Sequence, residues 1–112
     1  MKYEIDIQND ENDKFENNGD NVGIVQVHDK EENDITSKAN VQLFLSRNAL
    51  LGLGTELIRL AHSYRQTKHI HIEPAQADMM VQRMGIFLTP DSAELTILCN
   101  DSKVIDDYFE QD

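Results

Sequence analysis

Residues 69–73, His-Ile-His-Ile-Glu, hold the residue types most suited to chemistry in this chain. In a strand, successive side chains alternate, so His69, His71 and Glu73 share one face and Ile70 and Ile72 the other. Two imidazoles and a carboxylate are a donor set for zinc or iron. The geometry of one strand argues against such a site. Same-face residues stand about 6.5 to 7 Å apart along a line, and three collinear ligands do not converge on one ion. His62 and His28 could complete a site only by long-range folding, and no spacing shows that they do. The expectation is a polar strand face with no metal and no cofactor.

Other chemistry finds less support. Cys99 is the only cysteine, which excludes an intramolecular disulfide and a cysteine-based zinc site; at the end of Leu-Thr-Ile-Leu-Cys it suits a core position. An EF-hand loop with Gly19 sixth would need ligands at Lys14 and Val25, so that motif fails. No Gly-rich phosphate loop and no Gly-x-Ser-x-Gly elbow occur, and Gly52-Leu-Gly54 lacks a third glycine and a preceding strand end. No catalytic residues are assigned, and the chain is not read as an enzyme.

The elements that would position these residues centre on 41–73. Leu50, Leu53, Leu57, Leu60 or Ala61 and Tyr64 recur at steps of three and four, which predicts an amphipathic helix over about 47–66. Ser46 suits its N-cap, and Arg65 with Lys68 suits its C-terminal dipole. Gly52 and Gly54 are unfavourable inside a helix. Either the helix starts later, capped by Thr55, or the glycines admit a close approach to a sheet; the early start of the apolar stripe favours the second. Strands are expected at 3–8, 22–28, 40–45 and 69–73, with a hairpin over about 86–99 turning at Pro90 and Asp91. Met79, Met80 and Met84 are expected to pack inward, and a short helix to lie near 104–109. The predicted fold is a single α+β domain over 1–112: a two-layer sandwich with a mainly antiparallel sheet of about five to six strands covered by one long helix.

Charge is the most informative bulk property. The chain of 112 residues carries a net charge of −11. Residues 1–40 hold four Lys against eleven Asp or Glu, residues 41–100 balance five of each sign, and the last twelve residues add −4. Such a field repels nucleic acid and anionic membrane and draws in basic surfaces. The acid is gathered in two connections, 9–21 with its Asn18-Gly19 turn signal and 29–34. Asp10, Glu11, Asp13, Glu16 and Asp20 in the first, with Glu31, Glu32 and Asp34 in the second, are the candidate partner contacts. The amino terminus lacks the apolar block of a signal peptide and no run of roughly 18 apolar residues occurs, so a cytoplasmic protein without membrane contact is expected.

From Leu-Ser-Arg-Asn-Ala-Leu-Leu-Gly-Leu-Gly-Thr-Glu-Leu-Ile-Arg-Leu-Ala-His-Ser, then His-Ile-His-Ile-Glu-Pro, then Leu-Thr-Pro-Asp-Ser-Ala-Glu-Leu-Thr-Ile, the chain resembles the immunity protein 32 family of bacterial polymorphic toxin systems. The likeness covers about residues 43–100 and leaves out the acidic first forty. It implies an intracellular antidote that binds a cognate toxin domain and blocks its active site or an essential surface, and it carries over no catalytic residues. A basic toxin domain, such as a nuclease, is the partner that both lines suit, and the oligomeric state stays open. Two alternatives come from other classes: an acidic mimic of nucleic acid that inhibits a DNA-binding enzyme, and a small metal-dependent enzyme built on 69–73.

Overall fold

The computed structural model describes residues 2–8, 22–63, 69–76 and 82–100. The chain divides into two units, Met1–Val25 with Ser102–Asp112, and Gln26–Asp101.

Among the described residues the second unit is built on one α-helix, α1 (Arg47–His62). Ser46 starts it in extended conformation, and its Oγ accepts from the Ala49 N–H at 3.1 Å, satisfying one of the first-turn amides that lack a helical partner. Thr55 is not a cap. Its hydroxyl donates to the Leu51 carbonyl at 2.7 Å in mid-helix, so the start at Arg47 stands and the later start does not. At the other end the Ser63 N–H and Oγ both reach the Arg59 carbonyl at 2.9 Å. The apolar pattern divides between two faces. Leu53 and Leu60, seven residues apart, are buried, while Leu50 is 58% exposed and Leu57 38%.

The predicted five to six stranded sheet is not what forms. Among the described residues there are two strands, β1 (His69–Ile72) and β2 (Leu95–Leu98), paired antiparallel with Ile70 opposite Ile97 and His71 opposite Thr96. The expected strands at 3–8 and 40–45 have the right alternation but no ladder. Their apolar side chains explain why: Tyr3, Ile5 and Ile7 are exposed, as are Val41, Leu43 and Phe44, so neither segment has the buried face that fixes a register. The expected strand at 22–28 pairs only at its end, through a His28 to Asp34 bridge. The hairpin over 86–99 is also corrected. β2 takes β1 as its partner, and 86–88 instead bridges Pro74 through Leu88 and Arg83 through Ile86.

The core is small. Leu53 and Leu60 of α1, Ile72 of β1, and Met84 and Ile86 are buried together, with Leu45, Ala49, Ile70, Leu88, Leu95, Ile97 and Cys99 half-buried around them. Met84 and Gly85 form a tight turn closed by reciprocal backbone hydrogen bonds between Arg83 and Ile86, both at 3.1 Å. Both central residues have positive φ, 52° and 74°, which is the two-residue hairpin geometry that suits the strand twist. Glycine adopts it freely; Met84 adopts it because its side chain enters the core. Gly85 then rests on α1. A Cβ on Gly52 would overlap the Gly85 carbonyl, and a Cβ on Gly85 would overlap the Gly52 backbone, whereas a Cβ on Gly54 would meet nothing within 4 Å. The close approach expected of the two glycines is made by Gly52 alone, and to a turn instead of a sheet.

The predicted positions of Met79 and Met80, the end of the helix beyond Ser63 with Arg65 and Lys68, and the terminal helix near 104–109 lie outside the described residues. Among the described residues no helix is long and apolar enough to cross a membrane.

Candidate functional site: an acidic hairpin held by Asp29

Of the eight candidate contacts, Asp10, Glu11, Asp13, Glu16 and Asp20 lie outside the described residues. Glu31, Glu32 and Asp34 fall on one hairpin that joins the His28 to Asp34 bridge. Asp29 organises it. Its Oδ1 accepts the backbone N–H groups of Glu31 and Asn33, both at 2.9 Å, and its Oδ2 accepts the Asn33 side-chain amide at 3.1 Å. Its own backbone closes the turn, with Asp29 N–H donating to the Asn33 carbonyl at 3.0 Å and Glu32 N–H to the Asp29 carbonyl at 3.1 Å. An Asp at the head of a turn does this because its short carboxylate reaches amides two to four residues on.

Glu32 sits in the left-handed region, φ 65°, where glycine or asparagine would be less strained. Two residues further along, the Asp34 carboxylate accepts the Thr36 N–H at 2.9 Å and so leads into a single 3-10 turn, Thr36–Lys38. Thr36 ties both sides of the hairpin, its hydroxyl accepting the Val27 N–H at 2.9 Å while the Ile35 N–H donates to the Val27 carbonyl.

These hydrogen bonds divide the acidic groups by role. The Asn33 backbone amide, then its side-chain amide, hold the Asp29 carboxyl below the usual carboxylate range, aided by the Glu31 amide and the charge of His28. The Thr36 hydroxyl, then its amide, do the same for Asp34. Both carboxylates are committed to their own backbone. Glu31 and Glu32 are exposed on the rim of the turn so fixed. The hairpin therefore carries four exposed carboxylates in six residues: Asp29 and Asp34, which accept its backbone amides, and Glu31 and Glu32 on its rim.

The histidines are placed as follows. His71 is exposed on the outer face of β1, opposite buried Ile72, as alternation requires. Its Nδ1 lies 2.8 Å from Glu94 Oε1 and 3.0 Å from Thr96 Oγ1, so the ring is held across the two strands by its sheet neighbour and by Glu94, the residue before β2. The His69 backbone lies in β1, Glu73 is exposed just past its end, His28 stands at the hairpin and His62 in the last turn of α1. No group of three or more His, Cys, Asp or Glu side chains able to hold a metal ion occurs among the described residues. Comparison with known proteins adds no relative: no family model, curated protein or solved structure matches this chain.

Two contributors escaped the sequence reading. Asp29 was legible as the first acid of a turn with Asn four residues on, a pattern that favours side-chain to backbone bonding. Glu94 had no such signal, because its neighbour His71 is set by strand register.

Proposed function

We propose that the chain is an immunity protein that neutralises a cognate toxin domain with a basic surface, using acidic groups in place of the toxin's anionic substrate. The observation that carries this reading is the hairpin at 28–36, where Asp29 and Asp34 hold the backbone and leave Glu31 and Glu32 displayed at fixed positions. Preorganised carboxylates lose less side-chain and backbone freedom on binding than those of a loose acidic loop, so their attraction is better retained in affinity. The net charge of −11 supplies the longer-range steering toward a basic partner. The resemblance to the immunity protein 32 family read over 43–100 implies an antidote acting in the cytoplasm, and with no family model matching the chain the proposal stands on the hairpin and the net charge.

The test is to isolate the protein from its native cells at low salt and identify what accompanies it in near-equal amount. A single polypeptide whose C-terminal domain is lethal when expressed alone supports the reading. Retention of only a metal or a small molecule overturns it. With the toxin in hand, Glu31→Lys with Glu32→Lys is expected to weaken binding at least about tenfold and to flatten its salt dependence, the behaviour of solvent-accessible charges that steer a basic partner. Unchanged affinity removes the hairpin from the interface.

A further inference from the structure

We draw no further inference here: the strongest candidate, the exposed apolar face of α1 formed by Leu50, Leu57 and Ala61 beside the open space at Gly54, carries nothing because nothing in the structure shows what covers it.

Discussion

Gly52 and Gly54 are two residues apart on one helix and should respond to the same substitution with opposite signs. Glycine in a helix interior is less favourable than alanine by about 0.5 to 1 kcal/mol, from the greater freedom it loses on folding. At Gly54 nothing stands within 4 Å of the added methyl, so Gly54→Ala should realise that gain in full. For a chain of this size it raises the melting temperature by about 3 to 5 °C. At Gly52 the same gain is offset by overlap with the Gly85 carbonyl, a backbone atom that cannot rotate away. Separating helix and turn strains the Met84-Gly85 geometry and loosens Leu53, Met84 and Ile86 together. Overpacking of this kind costs roughly 1 to 3 kcal/mol, so Gly52→Ala should lower the melting temperature by about 2 to 8 °C. Gly85→Ala should cost more, because it adds a left-handed penalty of about 1 to 2 kcal/mol at φ 74°. The assay is thermal unfolding by circular dichroism near 5 µM. Gly52→Ala and Gly54→Ala both raising the melting temperature would refute the helix-to-turn contact.

Other expectations follow from the core and the hairpin. Ile72, 1% exposed, should lose about 2 to 4 kcal/mol as alanine in urea unfolding, a large share of the 5 to 15 kcal/mol common for domains. Met84 should show an inverted order, Met84→Gly being less damaging than Met84→Ala by about 1 kcal/mol, since glycine relieves the left-handed φ while both lose the buried thioether. The folded Asp29 and Asp34 carboxyls are held below their usual range by amide and hydroxyl donors. Their contribution is thus complete above the unfolded value near 3.9 and is lost only as pH falls through the lower folded values. The Glu31 and Asn33 amides should keep their chemical shifts at pH 5 and move below about pH 4, and Asp29→Ala should shift them at every pH.

The helix was legible because its determinants are local. Ser46 before an apolar periodicity needs only neighbours within a turn, whereas the far end, expected near 66, is capped already at Ser63. The sheet was not, because alternation identifies a surface to cover without naming what covers it. Val41-Leu43 alternates as well as Ile70-Ile72, yet it is Ile72 that is buried with Leu53 and Leu60, with Ile70 packed against them. Long-range pairing decided β2 in the same way: Leu-Thr-Ile-Leu lies a short turn beyond Ile86-Phe87-Leu88 but joins β1, where Ile97 and Leu95 stand opposite Ile70 and Ile72. In the candidate site, the acidic composition of 29–34 was plain, whereas the division of labour within it depended on which carboxylates find amide donors.

That division makes function separable from stability. In a loose acidic loop every carboxylate contributes alike, and removing any one relieves repulsion. In the hairpin, Asp29→Ala strips three hydrogen bonds from the turn, whereas Glu31→Lys and Glu32→Lys leave that framework and the left-handed φ requirement at Glu32 unchanged. The lysine pair should therefore melt within about 2 °C of the parent, as exposed substitutions generally do, while Asp29→Ala disorders the turn. If a toxin partner discriminates against both variants, the shape that Asp29 maintains and the charge that Glu31 and Glu32 display are both part of recognition. If it discriminates against the lysine pair alone, charge suffices and the fixed turn is dispensable. A hairpin on which four carboxylates crowd into six residues gains order from two of them, and the ordered turn is what makes the other two a defined surface instead of a diffuse field.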